Sequence, residues 1–419
     1  MSKRKDHSAL ICSASMLLYL VWLLLPAVQK TGRAMSGAAC VALFALGVLW
    51  DWQGFKKCWL DLCIRAFCAL AMPILLKAFL WRGGSNFAGY YVQQVMFWFP
   101  LIYAGYARER GDDRLWRWVK PVMLAAVCIT VCTTIGWLIQ GMMRGGRIYA
   151  YSRSLGYAGD VNPAYLTELM LRNIGGYDFV YAMVLALPLS CIGVQANTGW
   201  KRWAFVALIA AQTVMIVLSQ YTYAMLYAAA ILAVEIMALL VRKVWKVGMG
   251  KSLLIGALPI ALVLLFLQPL VMLAANLCTG LGLTNFARSF EQLLAAFGGE
   301  AAADSRLSYY LIALQGFAKS PFVGSMFGGE KLLSLHSEVL DLLSGAGILG
   351  TLAMGGMVWV MGRGLLRGVR TNPHRAQLCV MGCTLFVIAL LGTVNYSRDV
   401  MAIFAMGILL VMEGRKARG

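Results

Sequence analysis

Runs of about twenty apolar residues, repeated along the whole chain, constrain this sequence more than any other feature. A helix of ~20 residues crosses the ~30 Å hydrocarbon core of a bilayer, and a soluble domain rarely carries such runs unbroken by charge. The runs fall at 9–28, 34–50, 60–80, 87–107, 119–142 and 177–196, then at 202–218, 221–241, 252–275, 337–361, 376–392 and 400–413. Composition agrees, with 61% hydrophobic and 13% charged residues against roughly 25% charged in an ordinary soluble domain. The expectation is an all-α, polytopic integral membrane protein with about twelve transmembrane helices, forming a single membrane domain over residues 1–419. No internal repeat is visible. In the third run, Arg65 and Lys77 sit near the two ends and are expected to snorkel toward the interfaces.

The basic residues orient this bundle. With the N-terminus inside, 23 Lys and Arg fall in segments facing the cytoplasm, 12 in segments facing out and two in the third run, accounting for all 37. Eight of the outside twelve lie in two long loops, so the short outer turns are almost free of positive charge, as the positive-inside rule requires. Both termini are therefore expected in the cytoplasm. The net charge of +19 is then topology signal facing anionic inner-leaflet lipid, and it calls for no nucleic acid. The first run follows Lys3, Arg4 and Lys5 without a small-residue cleavage site, which reads as an uncleaved anchor.

Cysteine and histidine add little chemistry. Pairs such as Cys128/Cys132 and Cys379/Cys383 are one helical turn apart within apolar runs, which suits packing; only Cys278 is placed outside, so no disulfide framework is expected. His7 and His374 fall on the cytoplasmic side and leave His336 alone outside, too few for a zinc site. No metal and no cofactor are expected.

The outside loops at about 143–176 and 276–336 are far longer than compact connections need, and such loops tend to carry function. The first holds Arg144, Arg147, Arg153 and Arg172 interleaved with Tyr149, Tyr151, Tyr157 and Tyr165. Two readings stay open for it: an interfacial segment resting among headgroups, or an anion site, since the guanidinium fork matches phosphate oxygens. In the second loop, Asp304 or Ser305 can cap a helix over about 305–319 that stops at Ser320-Pro321. Leu307, Tyr310, Leu311, Leu314 and Phe317 recur at three and four, giving an apolar face suited to lying in the outer interface. Arg306 stands in its first turn, where free backbone N–H groups also draw anions. An arginine there is often a headgroup anchor, and a boundary histidine such as His336 is often a polar cap. Glu235 in the eighth run and Gln93-Gln94 in the fourth read either as interhelical hydrogen-bonding groups or as marks of a transport path.

Ordered segments of this second loop and of the run that follows it resemble the O-antigen ligase/polymerase family of bacterial envelopes. They are Ser305-Arg306-Leu307-Ser308-Tyr309-Tyr310, Ser320-Pro321-Phe322-Val323-Gly324, His336-Ser337-Glu338-Val339-Leu340 and Gly345-Ala346-Gly347-Ile348-Leu349-Gly350. The family pattern is an arginine, an aromatic four residues on, Pro-x-x-Gly, a His-Asn start and a Gly-x-Gly finish. The chain departs from it at Ser337 for asparagine, at Met326 for a glycine, and at Ser219-Gln220-Tyr221 where a Ser-Arg usually opens the eighth span. One phosphate-binding arginine is thus replaced.

The resemblance implies a GT-C-like bundle whose large outside loop, with interfacial helices, precedes the tenth span. It implies a metal-independent glycosyltransferase in the bacterial cytoplasmic membrane, acting at the outer face as polysaccharide polymerase or ligase. The donor would be a glycan on undecaprenyl pyrophosphate and the acceptor a sugar hydroxyl, with membrane lipids around both. His336 and Arg306 are the implied catalytic pair; Arg288, Arg172, Arg153, Arg398 and Tyr310 are candidates for binding substrate. Two other readings compete. A transporter or flippase of lipid-linked glycan explains the arginines and Glu235. A peptidoglycan-type glycosyltransferase of the shape-and-division family would lean on Asp304, Glu300 or Glu338.

Overall fold

A computed structural model of the protein describes residues 2–56, 60, 63–68, 70–71, 99–100, 102–103, 106, 114–145, 163–246, 248, 251, 255, 267–280, 287, 290–291, 306–327, 332–334, 336–368, 372–391, 399–400, 403–404 and 407. Among them all regular structure is helical, with no strand. The longer helices are α1 (Ser2–Leu24), α2 (Pro26–Trp50), α3 (Arg114–Gly145), α4 (Pro163–Leu171), α5 (Tyr177–Ala196) and α6 (Gly199–Ser219), followed by α7 (Thr222–Trp245), α8 (Leu267–Gly280), α9 (Arg306–Lys319), α10 (Glu338–Gly368) and α11 (Asn372–Leu391).

Six of these helices have the length and apolarity to cross a membrane, and α2, bent by 88° between Gly32 and Met35, makes a seventh if its halves count as one span. They coincide with expected runs, so a polytopic membrane protein stands. The runs at 60–80, 87–107, 252–275 and 400–413 lie largely outside the described residues. Two details differ from the sequence reading. The first helix stops at Leu24 because Pro26 has no N–H and forces Leu25 out of helical geometry (φ −104°, ψ 104°). Arg65 is buried within the protein, 2% exposed. A guanidinium persists at such a place only where groups of the protein receive its charge.

The core forms around α5, where Phe179–Leu187 are buried on every side. A helix apolar all round belongs in the centre. Helices α1 and α2 pack closely on each other as a hairpin through small residues and serines: the Ser8 hydroxyl donates to the Gly47 carbonyl at 2.6 Å, and the Ser15 hydroxyl to the Cys40 carbonyl at 2.5 Å. In lipid, where apolar contact alone does not drive helices together, such approach and hydrogen bonding supply the adhesion. Tyr19, Phe44, Phe99 and Tyr106 interlock edge to face beside it.

The first long loop folds back on the bundle. Its helix α4 ends in a left-handed Asn173 (φ 60°), with the Ile174 N–H bonded to the Leu169 carbonyl and the Asn173 N–H to that of Met170. Leu169, Ile174 and Leu138 form one apolar cluster, the contact that commonly accompanies such a cap.

The Asn173 side chain then closes the break between α1 and α2. Its amide donates to the Thr130 hydroxyl at 2.9 Å, which itself donates to the Leu24 carbonyl at 3.2 Å, while its own carbonyl oxygen accepts the Ala27 N–H at 3.4 Å. Thr133 and Thr134 serve the Asn173 carbonyl and the Gly175 N–H. Irregular backbone within a bundle of this kind is tolerated only when its polar groups are satisfied in this way. Asn173→Ala is therefore expected to lower stability by about 1–3 kcal/mol, the cost of stranding buried backbone groups, read as a lower melting temperature in detergent. Asn173→Gly keeps the left-handed backbone and should separate the lost side-chain bonds from the lost conformation.

Contacts along the helices fix which ends lie together. Tyr177 of α5 packs edge-on against Tyr221 at the start of α7, with centroids 4.8 Å apart, and Tyr181 pairs with Tyr227 further down. Hence α5 and α7 run parallel. The Gln377 amide of α11 meets Glu235 of α7, beside Cys191 of α5, whereas Met381 and Leu189 both crowd Gly407. Advancing along α11 thus moves back along α5, so the two are antiparallel. At 1.5 Å per residue, Leu391 arrives about 15 Å beyond Met381, at the end of the bundle where Tyr177 and Tyr221 stand.

Candidate functional site

That end carries the second long loop. Helix α9 begins at Arg306 and ends at Lys319, followed by Ser320 and Pro321, as the spacing of its apolar residues predicts. The two candidate caps, Asp304 and Ser305, lie outside the described residues. Small residues decide how α9 docks: Ala313 and Gly316 are buried, while Leu311 and Leu314 are exposed on the other side. Gly316 lies so close to Ser344 and Leu332 that a Cβ there would meet the Ser344 hydroxyl. The exposed leucines leave an apolar stripe facing away from the protein.

The Pro-x-x-Gly segment and the Gly-x-Gly segment, twenty-odd residues apart in sequence, interlock through their backbones. Gly347 takes φ 63°, ψ −170°, a conformation open in practice to glycine alone, and it breaks α10 in two. The second half of α10 therefore has unpaired N–H groups at its start. Those of Ile348 and Leu349 donate to the carbonyls of Pro321 and Phe322 at 2.9 and 3.0 Å. Gly324, also left-handed at φ 64°, lies against the backbone of Gly345 and Ala346, where an added Cβ would sit 2.5 Å from the Ala346 nitrogen. A side chain on Gly347 would in turn strike the Phe322 carbonyl. The expected tenth span is thus a broken helix, because its backbone opens to receive the preceding turn.

This interlock brings His336 against α9. The imidazole of His336 lies 4.6 Å, centroid to centroid, from the ring of Tyr309. Arg306 opens α9, one helical turn before the tyrosine that meets the histidine. The Tyr310 hydroxyl donates to the Leu391 carbonyl at 3.2 Å, tying α9 to the end of α11.

The backbone of His336 is held by a chain of buried groups. The Ser334 hydroxyl accepts the N–H groups of His336 and Ser337 at 3.0 and 2.9 Å. The Ser334 N–H donates to Asp341 at 2.5 Å, and the Ser344 hydroxyl to the Leu332 carbonyl at 2.6 Å. Ser337 caps α10, its hydroxyl accepting the Leu340 N–H at 3.2 Å. Ser334, Ser337 and Asp341 are all buried. Ser334 and Asp341 escape a reading by motif; the signal available was a carboxylate, four residues after a capping serine, inside an otherwise apolar run.

The remaining candidates divide. Arg172 is exposed and pairs with Glu168 at 2.6 Å, an ion pair weak enough at a surface to exchange for another anion. Arg153, Arg288 and Arg398 lie outside the described residues. Gln220, standing where the family pattern has arginine, is a left-handed cap (φ 57°) whose N–H bonds the Val217 carbonyl. Glu235 is buried and accepts from the Gln377 amide at 2.8 Å, joining α7 to α11. Among the described residues no three His, Cys, Asp or Glu side chains are gathered as a metal site requires. No protein-family model matches this chain, and no curated protein is significantly similar to it.

Proposed function

We propose that the protein is a membrane glycosyltransferase that moves a glycan from undecaprenyl pyrophosphate to an acceptor sugar hydroxyl. In this reading it is a GT-C-like bundle of about twelve spans, with both termini in the cytoplasm and the Arg306–His336 end at the outer face of a bacterial cytoplasmic membrane. The reaction is that of a polysaccharide polymerase or an O-antigen-type ligase.

The observation that supports the reading is the interlock of Pro321–Gly324 with Gly345–Leu349, which joins two separated motif segments, while Tyr309 of a third meets His336. The chemistry suits such a site. The bond between the donor's anomeric carbon and the pyrophosphate breaks, a bond to the acceptor oxygen forms, and the acceptor's proton must leave. A neutral imidazole, with a reference pKa of ~6.5, accepts that proton at working pH. Arg306 would answer the charge growing on the departing pyrophosphate, and fixed cations of this sort are worth several kcal/mol of barrier. The apolar stripe at Leu311 and Leu314 suits a site approached by a polyprenyl chain from lipid.

The test is glycan transfer from an undecaprenyl-pyrophosphate donor by the purified protein in detergent with chelator present. Wild-type protein is expected to transfer and Arg306→Ala to lose roughly 10²–10³-fold in kcat. Unimpaired transfer by Arg306→Ala would remove the pyrophosphate argument. The second reading, a transporter of lipid-linked glycan, draws on the buried Glu235–Gln377 pair. Flipping of labelled lipid without glycosyl product would favour it.

A further inference from the structure

We infer that Asp341 is a positioning residue for His336, acting through Ser334. This rests on the catalytic role proposed for the histidine and assigns the groups that hold it.

His336 lies in a connection between a short turn and a helix, a place where backbone ordinarily has freedom. Here three N–H donors are pinned in sequence. Asp341, one turn inside α10, accepts the Ser334 N–H; the Ser334 hydroxyl then accepts the N–H groups of His336 and Ser337. Asp341 is 4% exposed and Ser334 2%. A carboxylate is costly to bury, and a leucine would serve better were the need only to fill α10's inner face. What the carboxylate supplies is an acceptor at one fixed point, rigidly attached to a helix that Ser337 caps. The histidine ring itself is met by Tyr309. A base must stand within hydrogen-bond reach of the proton it takes, and a misplacement of about 1 Å can cost 10²-fold. Asp341 does not itself need to touch substrate.

The test uses the full-length protein in detergent, with glycan transfer and thermal melting measured on Asp341→Ala, Asp341→Asn, Ser334→Ala and His336→Ala. Asp341→Ala is expected to lower kcat roughly 10- to 100-fold with little change in donor KM. Asp341→Asn keeps an acceptor oxygen and should recover most of the loss; Ser334→Ala should resemble Asp341→Ala. In a His336→Ala background, Asp341→Ala should bring no further loss, because residues acting as one unit are not additive. An equal fall in both backgrounds, no rescue by asparagine, or wild-type turnover in Asp341→Ala overturns the assignment. Should His336→Ala itself turn over like the wild type, the catalytic role of His336 falls and the positioning role falls with it, whereas absence of glycan transfer by the wild-type protein removes the glycosyl-transfer reading.

Discussion

Gly347→Ala is expected to leave little correctly folded protein in the membrane. Two costs add at that position. The backbone there (φ 63°, ψ −170°) is one that only glycine adopts freely, a strain of about 1–3 kcal/mol for any side chain. The new methyl would also sit 2.5 Å from the Val323 nitrogen and closer still to the Phe322 carbonyl. Overpacking of this kind costs about another 1–3 kcal/mol, and here the neighbour is main chain, which cannot turn aside as a flexible side chain can. The same helix holds its own control. Gly355 and Gly356 have open space where a Cβ would go, so alanine there should be neutral or stabilising by up to ~1 kcal/mol through helix propensity. The measurement is yield and melting temperature of each variant in detergent. Gly347→Ala melting with the wild type would show that the interlock with Pro321–Gly324 does not hold α10.

His336→Ala is expected to do the opposite: to fold and insert, yet lose about 10²–10⁴-fold in turnover. The bonds that order its backbone run from its N–H to Ser334 and survive the substitution. In a strain deleted for its own copy, the variant should accumulate to wild-type levels and fail to restore long surface polysaccharide. Full complementation would remove the catalytic role. Paired with Gly347→Ala, the result separates chemistry from architecture, since one variant abolishes product with the fold intact and the other abolishes the fold.

Much of the scaffold was legible in the residues. The spans 177–196, 202–218 and 221–241 correspond closely to α5, α6 and α7, because ~20 apolar residues in lipid have no option other than a helix that satisfies its own backbone. Helix α9 was legible for a different reason, its three-and-four spacing and the Ser320-Pro321 stop. Where reading by run failed, polar or glycine chemistry had intervened. Pro26 ended α1 early, Gly347 divided α10, and Arg65 found its place inside the protein, none of which hydropathy registers.

The candidate site was half legible. His336 and Arg306 stand out as chemistry in an apolar sequence, and two glycine-bearing segments are visible as segments. That each receives the other's backbone is not visible, since a glycine announces only that a side chain is not wanted. Asn173 looks like one more polar residue in a loop, although its amide closes the break between α1 and α2.

The sequence by itself thus determined that the chain is a bundle of membrane helices, and where most of them run, since burial in lipid is decided by local composition. Only the tertiary structure decided that Pro321–Gly324 seats on the break at Gly347, that Tyr309 meets His336, and that Asp341 and Ser334 hold the histidine's backbone. The first two contacts join residues well separated along the chain and the third lies within one short connection, but the energy of all three lies in directional bonds and close approach, which leave no periodic trace in the order of the residues.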